Sequence, residues 1–310
     1  MLKLIQNEWI KLWQKKGTWV MVIFLAIAII GLTGLTKLSE RFMDNEDWIK
    51  GMETEVVEIE EQLASPDLDE EERGDLEMER DDLQEIIADN LEWSQPKTRE
   101  GMIVDSYGSM SLVTLLTVIA AAGIVATEFS QGTIKMLLSR PVKRWKILMS
   151  KYLTVLLFGL LLAVITYVLS LASAFILFPS AEGNSILWSE TDLAITAVWG
   201  KSLYMMLLGF VNVIMISTFA FMLGSVFRST SLAIGLSLFL HFTGTLIVMF
   251  LEKFAVAKYI LFSHGLTQYE TGYKLLESNT MTFSIVVLVV YAVVFLAISF
   301  TTFIKRDITA

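Results

Sequence analysis

YLTVLLFGLLLAVITYVLSLASAFILF, residues 152–178, contains no Asp, Glu, Lys or Arg and decides the fold. An α-helix rises about 1.5 Å per residue, so about 20 apolar residues carry it across a hydrocarbon core about 30 Å thick. The core of a soluble domain does not require an uninterrupted run of that length. Five more apolar blocks flank this one, so the spans are expected at 17–36, 107–127, 151–178, 203–227, 231–251 and 283–304. Composition agrees: 54% hydrophobic and 18% charged residues over 310 positions is too apolar for a soluble protein of this size. The first block follows a basic stretch, as a secretory signal does. It is longer than a signal core and no small-residue cleavage site follows, so it reads as a retained span.

Charge placement gives an orientation. Lysine and arginine cluster in residues 1–16, in the loop 128–150, at Arg228 and in the tail 305–310, and short basic loops stay in the cytoplasm. Both termini are therefore expected in the cytoplasm of a plasma-membrane protein. The net charge of -9 arises almost wholly between the first two spans and says little about the rest.

Before the first span, Leu2, Ile5, Trp9, Leu12 and Trp13 recur at helical spacing, which predicts an interfacial amphipathic helix over residues 1–16. Residues 37–106 form the water-loving part. Ile49, Met52, Val56, Ile59 and Leu63 make a heptad seam, Ser65-Pro66-Asp67 breaks the helix, and Leu76, Leu83, Ile86, Ile87 and Leu91 supply a second apolar face. An extracellular acidic hairpin of coiled-coil type is expected there, serving as a spacer or as a contact for an outside partner. The loop 179–202 is mildly acidic. Residues 252–282 are too apolar for an ordinary loop and are expected as short re-entrant or capping helices. The expectation as a whole is an all-α polytopic membrane protein with six transmembrane helices, an N-terminal interfacial helix and an extracellular helical hairpin.

Several kinds of chemistry have no support in the sequence. Cysteine is absent, which removes disulfides and thiolate ligands, and only two histidines are present. No stretch has the GxxxxGK[ST] phosphate cradle; Gly31 to Lys37 resembles it only superficially. No metal, cofactor or nucleic acid is implied, and the chain is not expected to be an enzyme. Any active work must draw energy from a partner.

The loop 128–150 carries the most specific pattern. EFSQGTIKMLLSRPVKRWK, residues 128–146, allows a short helix with Ile134, Leu137 and Leu138 on one side, stopped by Pro141 and followed by the basic Lys143, Arg144 and Lys146. A short rigid helix between two spans is suited to receive a push from a cytoplasmic partner; the plainer reading is a basic loop that only fixes topology.

The acidic and aromatic residues leaving a span, then Gly-Thr-Ile, Leu-Leu and Arg-Pro-Val with a basic cluster, resemble the membrane subunit of type 2 ABC transporters. The basic amphipathic N-terminus, six spans, large first outer loop and partly apolar last outer loop extend the resemblance over the whole chain. It implies a permease that dimerises with itself or a related subunit and exports a substrate. A separate cytoplasmic ABC ATPase would dock on a coupling helix in this loop. The matching positions are Glu128, Gly132, Thr133, Leu137, Leu138, Pro141 and Arg144. The long acidic hairpin departs from the minimal family pattern and opens an alternative, in which ATPase-driven motion passes through residues 37–106 to an extracellular partner. Within the spans, His241, Asn212 and Thr243 are the polar side chains expected either to line a pathway or to bond between helices.

Overall fold

The computed structural model describes residues 1–42, 46–63, 70–94, 97–133, 142–180, 195–227, 229–272 and 274–305, among which there is no strand. Helix α1 (Leu2–Gln14) gives way at Lys15 to α2 (Lys16–Phe42). The hairpin helices α3 (Glu46–Leu63) and α4 (Glu70–Ser94) follow. Next come α5 (Arg99–Asp105), a 3-10 turn (Ser106–Ser109) and α6 (Met110–Ser130). Helices α7 (Arg144–Leu177), α8 (Ile195–Val226) and α9 (Thr230–Phe250) are long and apolar. Short 3-10 turns and α10 (Gln268–Thr271) then lead to α11 (Met281–Lys305).

Six helical runs are long and apolar enough to cross a membrane: Lys16–Ser39, Arg99–Ser130, Arg144–Leu177, Val198–Val226, Thr230–Phe250 and Met281–Lys305. All but Thr230–Phe250 are longer than the apolar blocks of the sequence. The helical run of the second span already starts at Arg99, within the segment read as the foot of the hairpin, and the helix of the third starts at Arg144, within the basic loop. Apolar composition stops where lipid stops, but backbone hydrogen bonding continues beyond it. Thr98 starts the early run by accepting a hydrogen bond from the Gly101 N–H at 3.2 Å. Arg99 N–H then donates to the Pro179 carbonyl at 2.8 Å, tying this foot to the far end of α7.

The second and fourth spans form the centre. Within the best apolar window of each, 67% of residues are buried, against 17% for the first span. Their approach depends on Gly224, where a Cβ would run into the carbonyl of Ala122. Several core threonine hydroxyls are satisfied within their own helices, as where Thr114 and Thr117 donate to Met110 and Val113 carbonyls at 2.8 and 2.7 Å. Other hydroxyls bond between helices, as Tyr152 Oη does with Thr218 Oγ1 at 2.9 Å and Ser299 with Ser225 at 2.9 Å.

In the hairpin, Met52, Val56 and Ile59 are buried along the predicted seam. Leu76, Leu83 and Ile87 are half-buried, whereas Ile86 points outward at 42% exposure and does not join them. The predicted break at Ser65-Pro66-Asp67 and the side chains of Ile49 and Leu91 lie outside the described residues.

Candidate functional site

Within α1 the buried side chains are Leu12, from the predicted apolar face, and Glu8. α1 lies on α7, where Glu8 meets Lys151, a lysine with no exposed surface. Lys151 Nζ sits 2.6 Å from Glu8 Oε2 and 2.7 Å from Glu128 Oε1. Lys11 Nζ completes the group, 3.0 Å from Glu8 Oε1 and 3.4 Å from Glu128 Oε1. Two carboxylates and two ammonium groups therefore cancel in a low-dielectric setting, the condition under which buried charge is tolerated.

Burial opposes ionisation of Glu8, yet the Lys151 ammonium, helped by Lys11, holds its carboxyl below the ordinary value. Burial likewise works against charge on Lys11, and its carboxylate neighbours Glu8 and Glu128 more than offset this, raising its pKa. Glu128 Oε2 is buried without a hydrogen bond among the described residues. A cavity of about 380 Å³ opens beside the group, with Gln14, Lys15, Gln131 and Thr133 also on its wall. Trp13 and Trp19 pack edge-on at 5.0 Å between centroids, and Trp19 Nε1 donates to the Trp13 carbonyl at 3.1 Å. These contacts fix α1 to α2 across the break at Lys15.

The predicted coupling residues separate on this framework. Glu128 lies on the last turn of α6 and belongs to the charge group. Gly132 then leaves the helix with φ 69°, a left-handed conformation that suits glycine, and Thr133 Oγ1 donates to the Glu128 carbonyl at 3.4 Å. Arg144 is elsewhere, its Nη1 donating to the Ile304 carbonyl at 3.0 Å and so binding the start of α7 to the end of α11. Leu137, Leu138 and Pro141 lie outside the described residues.

The polar residues within the spans separate too. Asn212 and His241 line one cavity of about 330 Å³, whereas Thr243 does not and donates to the Phe239 carbonyl of its own helix at 2.7 Å. Over this cavity lies the segment before α11, where His264 is buried. Its Nδ1 is 2.7 Å from Ser284 Oγ, which is 2.6 Å from Tyr269 Oη. Among the described residues no group of three or more His, Asp or Glu is placed to hold a metal ion.

Sequence reasoning counted Glu8, Lys11 and Lys151 only as topology-setting charges. A signal was present: Glu8 is the one acid in α1, and Lys151 comes after the apolar Ile147, Leu148 and Met149 instead of with the basic cluster.

Fold and geometry together define a multi-pass α-helical membrane protein, with a buried charge group at one end of its bundle and a neutral polar cavity towards the other. The chain belongs to the family described as protein of unknown function DUF2705, whose profile matches residues 92–309. It is also similar to the uncharacterized protein YhcI of Bacillus subtilis strain 168, at 38% identity over 99% of both chains. The uncharacterized membrane protein YdbK of the same organism is 30% identical over 64% of this chain and 78% of its own. The family match takes in Glu128, Lys151, Asn212 and His241; Glu8 and the hairpin seam precede it.

Proposed function

We propose that this chain is the membrane-spanning subunit of an ATP-driven exporter. It dimerises in the membrane and couples to a separate ATP-binding-cassette ATPase through the loop 128–150, with both termini in the cytoplasm. The observation that carries this reading is the pairing of Glu128 with Lys151 at 2.7 Å. These residues stand at the two feet of the loop, and Glu8 of α1 is bound to the same lysine at 2.6 Å. A displacement applied to a loop with fixed feet moves α1, α6 and α7 as one body, where loose feet would absorb it. Gly132 sets the direction in which the chain leaves α6.

The test is reconstitution in proteoliposomes with candidate ATP-binding-cassette ATPases from the same cell. Replacing Leu137 or Leu138 with Asp is expected to leave insertion intact and to lower ATP-driven transport at least tenfold while ATP hydrolysis continues. Full transport in both variants, or the failure of any ATPase to bind, overturns the reading.

A second reading has its own observation. The seam residues Met52, Val56 and Ile59 are buried between α3 and α4, so the hairpin is a packed element able to transmit force. In that reading ATPase-driven motion reaches an extracellular partner through the hairpin. Deleting residues 47–93 separates the two, since an exporter keeps transporting and a transmitter loses its output.

A further inference from the structure

We propose that the cavity of about 330 Å³ towards the hairpin end of the bundle is a binding site for a neutral amphiphile, recognised by Asn212 and His241. Its wall comes from four parts of the chain: Tyr107 to Ser111 at the start of the second span, Gly209 to Ile216 on α8, His241 and Thr245 on α9, and the capping segment with Phe262, Gly265 and Gln268.

Three observations specify the ligand. The lining offers neutral hydrogen-bonding groups beside apolar ones, and no Asp, Glu, Lys or Arg is among the residues that form it. A charged ligand would meet no counter-charge in a low-dielectric wall, whereas a hydroxyl, ester or amide head would be matched. Asn212 and His241 are both half-buried within spans, yet neither makes a hydrogen bond with the described residues; the His241 ring lies 5.2 Å from that of Phe242. Amide and imidazole groups at membrane depth are costly without partners, and helix-bundle packing normally supplies them. Here the cavity is the direction left for a partner.

The Gln268 amide on the same wall is already engaged within the cap, its Nε2 donating to the Ser263 carbonyl at 2.9 Å and its Oε1 accepting from Leu275 N–H at 3.1 Å. Phe262 lies flat on Gly244, where a Cβ would strike the ring, so the cap is seated on α9. A preformed pocket of this size with a few unengaged polar groups is the usual form of a small-molecule site.

This site is independent of the export reading, because occupancy needs no ATPase. The test uses the full chain in phosphatidylcholine nanodiscs and tritiated monooctanoylglycerol, a neutral single-chain amphiphile, measured by scintillation proximity. Saturable binding near one molecule per chain is expected. Octanoate and octyltrimethylammonium, which share the chain length but carry charge, should compete at least tenfold more weakly. Asn212→Leu and His241→Phe should each weaken binding about tenfold.

Gly265→Phe is a second kind of variant, placed on the cavity wall where a Cβ meets nothing within 4 Å and chosen to take up cavity space. It should abolish binding while the thermal unfolding of the chain is unchanged. Counts no higher than empty nanodiscs, equal competition by either charged amphiphile, or full binding in a stably folded Gly265→Phe chain would each overturn the proposal.

Discussion

At one end of the bundle Lys151 is wholly buried yet holds two carboxylates within 2.7 Å; towards the other, Asn212 and His241 face open space without a hydrogen bond from the described residues. The contrast follows from the cost of burying different polar groups. An unpaired charge in a low-dielectric interior costs several kcal/mol or more, so charged residues are found there with their counter-charges. An unmet amide or imidazole costs about 1–3 kcal/mol, an amount that a bound molecule can return. The first arrangement therefore suits a fixed joint, and the second suits a site whose partner comes and goes. Glu8, Glu128 and Lys151 join three helices, and removing any one leaves the others exposed to that larger cost.

The sharpest way to break this comparison is to remove the central cation. Lys151→Met leaves only the half-exposed Lys11 to balance Glu8 and Glu128, and should cost about 3–5 kcal/mol of stability, by analogy with other broken buried pairs. Denaturant titration in detergent measures it. Replacing Glu8, Glu128 and Lys151 together with leucine should recover most of that loss. Lys11, whose side chain is 39% exposed, can then turn its ammonium to water. If the single substitution is as mild as the triple one, the charges are not confined as described.

A milder perturbation titrates the joint. The carboxyl of Glu8 is held below its ordinary value of 4.5, so its contribution is present above that pH and is lost as pH falls through the lower, folded value. Lys11 is raised above 10.5, so its contribution is present below that pH and is lost as pH rises through the raised value. α1 should therefore hold most firmly between about pH 4.5 and 10.5. The chain has no cysteine, so a single Leu2→Cys at the exposed start of α1 takes an environment-sensitive dye cleanly. Its acid transition should disappear in Glu8→Gln. An identical acid transition in that variant would assign the change to another group.

How much of this was legible in the sequence depends on the kind of signal. The six spans stand out because each is a long run without charge, and the hairpin seam because Met52, Val56 and Ile59 repeat at heptad spacing. Helix ends were less visible, since α7 begins at Arg144 among basic residues where hydropathy gives no cue. The joint was hidden for a physical reason. Glu8, Glu128 and Lys151 are up to 143 positions apart, and each looks like an ordinary boundary charge until the helices meet. Asn212 and His241 were singled out as intramembrane polar groups, and the structure places both on one cavity. Thr243, chosen on the same grounds, turns to its own helix because a hydroxyl can reach the carbonyl four residues back, which imidazole and amide groups do not do as readily.

The smallest expected effect lies beside that cavity, in the closed chain formed by Tyr269, Ser284 and His264. Ser284 Oγ contacts both Tyr269 Oη, at 2.6 Å, and His264 Nδ1, at 2.7 Å. Ser284→Ala thus deprives two groups of a partner, whereas Tyr269→Phe removes one hydroxyl along with its bond. The serine variant should cost about 1–3 kcal/mol and the tyrosine variant about 1 kcal/mol, both read from the same denaturant titration. The order of the two is what matters. His264 is buried, with its Nε2 lacking a hydrogen bond among the described residues, so the Nδ1 contact with Ser284 carries much of its polar pairing. If Tyr269→Phe proves the more damaging of the two, the cap is held by the tyrosine's packing and not by the hydroxyl chain.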